Sequence, residues 1–492
     1  MALSKRSQEG ESIKIATARR LHTTIKPTRA FLFLIVLASA LAGMIMRTVD
    51  IATIPEFFTD EGFWAMPPRD FVLFSRWTLG SYYHHYLSPL FSALLALEFS
   101  LIGPGIVQAR LLSAIAGTLT ILGVAWLGKR LGSPTAGTLA AIALAFDGPS
   151  IITSRSAILE SLQCFLLVMI ACQVVGEGRA RRAFMGLLIC LAVLTKLLSL
   201  HAVPAVVLYS WWKRGWREAI LDAASLLAGL LLAGLVFGTI AVHDWDNFTL
   251  TWGWELTTRT VGRATMPAGE EGSLLSTARY FLSRSPIAGV AFLSTLAWIL
   301  AWRKFSSATL FLGLWIAFGV IVMSTQGYSP QRYYIPLIPF IWIWVFLTLR
   351  EVKLSTSIGA WASRIASILV IAQVLFSVAS FAGYYYILDH RNEDPVMLAR
   401  WVDENVGPGQ RVLGPFRLLV STKAQGLGFE SVAAPAQPTS ADLDALGIDF
   451  VVTAPDTRLG PPLKNLWFVE SDGEKYSLVA QFREIKVYRV AR

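Results

Sequence analysis

Four short segments hold residue types out of keeping with their surroundings. Asp60-Glu61 lie in FFTDEGFW, two adjacent acids among Phe57, Phe58, Phe63 and Trp64. A carboxylate fixed in such an aromatic setting can serve as a general base. FDGPSIITSRSAILES, residues 146–161, places Asp147 in an apolar run, with Arg155 and Glu160 after it. Lys196 stands in LAVLTKLLSLHAV. Charge inside an apolar run is costly and usually has a task. Gln331-Arg332-Tyr333-Tyr334 precede IPLIPF, and the planar fork of an arginine suits bidentate contact with phosphate. Each has a plainer reading when taken singly. Adjacent acids in a loop are commonly solvated. An Arg–Glu pair can close a loop, worth little when isolated. A lysine can snorkel to an interface.

The elements that must position these residues are membrane spans. Apolar residues make up 54% of the 492 and charged residues only 15%, against about 25% charged in a soluble domain. Mean hydropathy is +0.54. The 17 Trp and 28 Phe suit a chain that belts two membrane interfaces. Disorder, collagen and small disulfide scaffolds are excluded. Net charge is +10, but the basic residues cluster at the ends of apolar runs, as the positive-inside rule requires. There is no zinc-finger spacing, RNP pattern or basic helix, so no nucleic-acid partner is expected. Cys164, Cys172 and Cys190 all sit in apolar runs and read as small buried hydrophobes.

Residues 1–29 form a basic segment, expected in the cytoplasm, and 31–46 the first span. Their alternative reading is a signal peptide cleaved near Ala38-Ser39-Ala40. Further apolar runs fill most of 107–388. Basic marks punctuate them: Lys129-Arg130, Arg179/Arg181/Arg182, Lys213-Arg214/Arg217, Arg303-Lys304 and Arg350/Lys353/Arg364. With every mark on the cytoplasmic side, two crossings must separate each pair. Run 87–102, interrupted by Glu98, then becomes an interfacial or re-entrant helix. Run 183–212, basic at both ends, becomes a hairpin of two short helices whose tip carries Lys196. The count is eleven spans, or twelve if 87–102 crosses. The N-terminus lies inside, with outer loops at 47–106 and 242–285. Residues 389–492 change composition, with a Gly407-Pro408-Gly409 turn and strand-like pieces at 411–413, 448–453 and 485–490. Helical stretches fall near 395–405 and 440–446. This reads as a small outer α/β domain. The sequon Asn247-Phe248-Thr249 is read as a chance tripeptide.

Parity places the four segments on one face of the membrane. A base together with cations for a phosphate leaving group suits transfer of a sugar from a lipid phosphate to an acceptor hydroxyl. The chain resembles the membrane-embedded glycosyltransferases of the GT-C fold, and among them the protein O-mannosyltransferases and lipid A aminoarabinose transferases. Those have an Asp-Glu pair in the first outer loop, matched by Asp60-Glu61. The O-mannosyltransferases have a segment FD…SR-x-x-L-L-D, matched by Phe146-Asp147, Ser154-Arg155 and Glu160. Their "GLA-x-x-x-K" segment is matched at Lys196, with Cys190 in place of the Gly. Their aromatic-Pro-rich helix after a basic residue is matched by Arg332–Phe340. Where the family has His-Pro-Pro-Leu, this chain reads His84-His85-Tyr86-Leu87-Ser88-Pro89-Leu90. The tail does not resemble the β-trefoil of the eukaryotic enzymes, which implies a prokaryotic branch in the plasma membrane.

The resemblance implies an inverting transfer from a polyprenyl-phosphate sugar to a hydroxyl of a lipid, glycan or protein. Asp60 would be the general base. Arg332 and Lys196 would neutralise the phosphate, with Arg155, His84 and His85 in support. Glu61 and Glu160 would orient the acceptor or the cations, with Asp147 and Tyr333 also at the substrate site. A divalent cation near the acids is implied by some relatives. The competing expectation from composition alone is a lipid or sugar-lipid transporter, though the inverted repeats typical of many transporters are not visible.

Overall fold

A computed structural model describes residues 28–55, 59–77, 84–178, 180–261, 274–302, 306–326, 331–355, 359–387, 394–414, 419–428, 440–453, 469, 473, 475–482 and 485–491. Most of the basic segment 1–29, Phe57-Phe58, Arg179 and Arg303-Lys304 lie outside them.

The first helix, α1 (Arg29–Thr48), starts where the Thr28 hydroxyl accepts the Phe31 N–H and then runs through an apolar stretch. Helix α2 (Thr59–Phe74) opens with Asp60-Glu61 in its first turn, where acids suit the helix dipole. A short 3-10 turn, His84–Tyr86, leads to α3 (Pro89–Ile102). Next come α4 (Ile106–Arg130) and α5 (Pro134–Ala145). After a 64° bend the chain continues as α6 (Gly148–Ser154). Asp147 makes that bend: its Oδ1 caps α6 by accepting the Ser150 N–H at 3.0 Å, and Pro149 starts the new helix.

Helix α7 (Glu160–Val174) is followed by α8 (Ala180–Thr195), a 3-10 turn Leu197–His201, and α9 (Ala202–Arg214). Arg181 at the start of α8 and Arg214 at the end of α9 both reach Asp222, so the run does fold back on itself. With 16 and 13 residues, its two arms rise only about 24 and 20 Å. Asp222 lies on α10 (Trp216–His243). There α8 packs so closely that a Cβ on Gly229 would run into the Gly186 carbonyl, the small-residue contact that lets backbones meet in membranes. The remaining helices are α11 (Trp245–Val261), α12 (Leu274–Arg284), α13 (Pro286–Trp302) and α14 (Ser307–Ser324). A 3-10 stretch, Gln331–Leu337, then leads to α15 (Ile338–Ser355) and α16 (Gly359–Ile387).

Among the described residues six helices are long and apolar enough to cross a membrane, or seven if the bent α5–α6 pair is one span, where the sequence reading expected eleven or twelve spans. Helices α7 and α13 are apolar but shorter, and so is α3. Its start meets the tip of the hairpin, where the Ser88 hydroxyl donates to the Thr195 carbonyl at 2.7 Å. Its end leads straight to Ile106, whose N–H donates to Ser421 in the tail. Both ends of α3 therefore lie at one end of the molecule.

The basic marks gather at the opposite end. Arg350 donates to the Gly132 carbonyl, Arg214 to the Gly176 carbonyl, and Arg181 and Arg182 to Asp222.

The tail supplies α17 (Asp394–Asn405), β1 (Arg411–Gly414), β2 (Gln425–Gly428), α18 (Ser440–Ala445), β3 (Phe450–Thr453), β4 (Tyr476–Phe482) and β5 (Ile485–Val490). They form a mixed sheet of order β2-β1-β3-β5-β4, parallel around β1 and antiparallel around β5. Strands β2 and β4 were not among the sequence expectations. The sheet shares one apolar cluster with the helical body: Leu398, Val412 and Val452 pack with Met66, Phe99 and Ala109. Arg69 on α2, fully buried, donates to the carbonyls of Thr422 and Ala424 and pairs with Asp70 at 2.6 Å. The element that carries Asp60 is thus fastened directly to the tail.

Candidate active site

At the sheet end a cavity of about 590 Å³ opens between α2, the hairpin tip, α11, the end of α14 and the 331–337 turn. The sequence explains the convergence. The His84–Tyr86 turn and the broken hairpin stop short of a full crossing and leave room. Helices α2 and α7 each present an acid in their first turn, and α11 lies over the opening.

Its polar wall is a chain of alternating charges. Arg332 pairs with Asp60 through Nη2 and reaches Glu160 through Nε at 3.3 Å. Glu160 also accepts from Lys196 Nζ at 2.6 Å. Lys196 stands 3.5 Å from the centre of the Tyr333 ring, close enough for a strong cation–π contact. Arg259 lies 4.6 Å over the same ring, donates to the Tyr333 hydroxyl at 2.6 Å, and pairs with Glu255. Three cations therefore surround one phenol, balanced by Asp60, Glu160 and Glu255. Both Glu160 contacts fall on Oε1, while its buried Oε2 has no hydrogen-bond partner among the described residues. Apolar side chains line the cavity as well: Leu197, Leu200, Pro204, Leu256 and Val322, with Trp252 and Trp254. His84 lies at the rim, stacked on Phe63 with ring centres 4.6 Å apart.

Asp60, Glu160, Lys196, Arg332, Tyr333 and His84 are thus brought together as the sequence suggested. Four others are placed elsewhere, each by the demand to satisfy a buried group. Glu61 turns away and grips Arg110 with both oxygens at 2.7 Å, also accepting the Ala157 N–H. Arg155 donates to the carbonyls of Met46, Val49 and Ile54 and closes the loop after α1. Asp147, besides capping α6, accepts from the Ser285 hydroxyl at 2.9 Å. His85 packs against Trp77 and Tyr86. Burial, helped by neighbouring His84 and opposed by Asp244, drives its pKa down to about 3, so its ring is neutral.

Sequence reasoning missed Arg259, Glu255, Trp252 and Trp254. Their segment was read only as part of a long outer loop. The signal was there in WGWELTTR: tryptophans two apart, then an acid and a base four apart, on a helix of low overall hydropathy. The implied divalent cation does not fit this donor set. Each cavity carboxylate meets a cation, and among the described residues no group of three or more His, Cys, Asp or Glu could hold a metal ion.

The comparisons with known proteins agree with this architecture. Residues 87–243, the stretch that holds Glu160 and Lys196, match the family model described as dolichyl-phosphate-mannose-protein mannosyltransferase. No curated protein matches the chain. Among solved structures, it is similar to ArnT from Cupriavidus metallidurans bound to undecaprenyl phosphate. The TM-score is 0.67 at 15% identity, over 93% of this chain and 98% of that one. It is also similar to the oligosaccharyltransferase of Archaeoglobus fulgidus tethered to an acceptor peptide, with a TM-score of 0.55 at 13% identity, over 87% of this chain and 69% of that one. With its apolar helices and its sheet at one end, the chain is a multi-pass membrane protein of the GT-C glycosyltransferase fold.

Proposed function

We propose that the protein moves a sugar from a polyprenyl-phosphate donor to an acceptor hydroxyl, with inversion, at the membrane face that carries the sheet. The observation that carries this reading is the mixed lining of the cavity: a carboxylate beside Arg332, Lys196 and Arg259, together with apolar Leu197, Leu200, Pro204, Leu256 and Val322. A sugar on a lipid phosphate has that same polarity. The bound undecaprenyl phosphate of the ArnT structure supports the donor class. The positive-inside distribution supports an outward-facing site in a prokaryotic plasma membrane.

In this reading the phosphate lies among the three cations and the isoprenoid along Leu197, Leu200 and Val322. Asp60 takes the proton of the acceptor hydroxyl as its oxygen attacks the anomeric carbon. The bond from that carbon to the phosphate oxygen breaks, and polyprenyl phosphate leaves with the electron pair. Negative charge builds on the leaving oxygen, where Arg332 and Lys196 stabilise it most in the transition state. Glu160 holds both cations in place.

Replacing Asp60 by Asn should lower the rate of sugar transfer, measured with polyprenyl-phosphate sugars in reconstituted membranes, by at least ~10²-fold. The protein should still fold and bind lipid phosphate. A rate within about threefold of wild type, far from the loss expected of a missing base, would overturn the assignment. Mass spectrometry of lipid that co-purifies with the wild type should show a polyprenyl phosphate or its glycoside.

A further inference from the structure

The proposed base is already occupied. Asp60 is ion-paired to Arg332, one of the groups that would hold the donor phosphate. Both side chains are 27% exposed and line the cavity, whereas Glu160, the other carboxylate on Arg332, is only 2% exposed. The two arms of Arg332 therefore differ. The Glu160 arm is buried and shared with Lys196, and breaking it would strand charge in a dry place. The Asp60 arm is open to the cavity, where ion pairs are weak and readily exchanged. An incoming phosphate offers Arg332 more charge and a bidentate fit, and it must approach from the cavity side. It would displace Asp60 and leave Glu160 in place.

We infer that the Asp60–Arg332 ion pair is a donor-operated latch: phosphate takes Arg332, and only then is the Asp60 carboxylate free to accept a proton. This rests on the donor class proposed above and adds an order to it. Donor binds first, and the acceptor hydroxyl meets an active base only in the donor complex. The exchange is charge-for-charge. One anion replaces another on Arg332, and the released carboxylate is left beside the acceptor site. Glu160 keeps the guanidinium oriented throughout, so the leaving group meets a cation that has not moved.

The latch makes an unusual prediction about binding. Asp60 competes with phosphate for Arg332, so its removal should tighten the donor site. Undecaprenyl phosphate binding to the purified protein in nanodiscs would be measured, with undecaprenol as the uncharged control. Asp60→Asn should bind undecaprenyl phosphate about twofold to fivefold more tightly than wild type, the scale of one partly exposed ion pair. Undecaprenol affinity should not change. Plain repulsion between Asp60 and the phosphate would also tighten binding, so the two substitutions must be combined. Arg332→Ala should weaken binding, and in that background Asp60→Asn should have no further effect, because the competition has lost its object.

Unchanged or weaker binding in Asp60→Asn overturns the latch and leaves the donor class standing. Equal tightening with and without Arg332 also overturns it, since the effect then passes through space. If wild type binds undecaprenyl phosphate no better than undecaprenol, the donor class fails and the latch fails with it. Asp60→Ala serves as the second variant should the Asn side chain itself hydrogen-bond to Arg332.

Discussion

At the basic end of the molecule Asp222 is fully buried. It accepts from Arg181 at 2.8 Å, Arg182 at 3.1 Å, Ser210 at 2.6 Å and Arg214 at 3.5 Å. Both of its oxygens are filled. At the sheet end Glu160 is buried to a similar degree, yet it takes Lys196 and Arg332 on one oxygen and leaves the other without a partner among the described residues. Both clusters bring several cations to one carboxylate from helices far apart in sequence. The first ties α8, α9 and α10 together and opens onto no described cavity. The second borders a space large enough for a substrate headgroup, and Glu160, Lys196, Arg332 and Asp60 all line that space. Buried charge is equally costly in both places. What separates a tie from a site is whether the fold satisfies the charge completely.

The sharpest break of this comparison is an all-or-none experiment. If the Asp222 end is cytoplasmic and the Glu160 end is outside, a cysteine at Ser477, exposed on β4, should react with a membrane-impermeant thiol reagent in intact cells. One at Glu177, exposed in the α7–α8 connection near Arg214, should not. The three native cysteines are buried and should stay silent. The reverse pattern would put the cavity in the cytoplasm and remove the outward-facing donor from the proposal.

The next effect separates stability from activity. Asp222→Ala removes the buried carboxylate that Arg181, Arg182 and Arg214 share and should cost about 3–5 kcal/mol of stability, read as lower yield and a lower melting temperature. The protein that does fold should transfer sugar at nearly the wild-type rate, because no Asp222 contact reaches the cavity. Arg332→Ala should show the opposite pattern. Its side chain is partly exposed and Glu160 keeps Lys196 as a partner, so stability should fall less than in Asp222→Ala, while transfer falls severely. Matching losses of stability in the two variants would erase the distinction between the clusters.

The same distinction explains what the sequence could and could not disclose. The hairpin was legible because Arg181-Arg182 and Lys213-Arg214 bracket thirty apolar residues, and parity leaves no other path. Asp60, Glu160, Lys196, Arg332, Tyr333 and His84 stood out as charge, phenol or imidazole beside apolar runs, and the cavity gathers them. Glu61, Arg155, Asp147 and His85 stood out equally. Their partners, however, are Arg110, three loop carbonyls, the end of a helix and a packed aromatic group. A sequence displays a charge but not whether some distant segment will satisfy it. Arg69 and Asp222 drew no attention for the converse reason: each looks like an ordinary polar residue until Thr422 or Arg181 is folded against it. In the tail, β2 (QGLG) and β4 (YSLVAQF) have little or no clean alternation, and their pairing within the sheet supplies what periodicity does not.

The smallest effect concerns two neighbouring histidines that repeat the contrast on a local scale. His84 faces the cavity, while His85 is 8% exposed and sits between Trp77 and Tyr86. Burial holds the His85 pKa near 3, below the 6.5 of an unfolded chain. The native state therefore resists a proton that the unfolded state accepts, and between these two values stability must rise with pH. The contribution is complete above about pH 6.5 and is lost progressively as pH falls toward 3. At pH 5.5 the loss relative to pH 8 is about 1 kcal/mol. Replacing His85 by Phe keeps the aromatic packing and removes the titration. Melting curves at pH 8 and pH 5.5 should then show a smaller acid-induced drop in His85→Phe than in wild type, by about 1 °C for that energy in a chain of this length. Transfer at pH 8 should be preserved, because the ring is neutral in both proteins and does not line the cavity. Parallel melting temperatures at the two pH values would mean that the ring is solvated when protonated, and that the enclosure around Trp77 and Tyr86 opens far more readily than the packing implies.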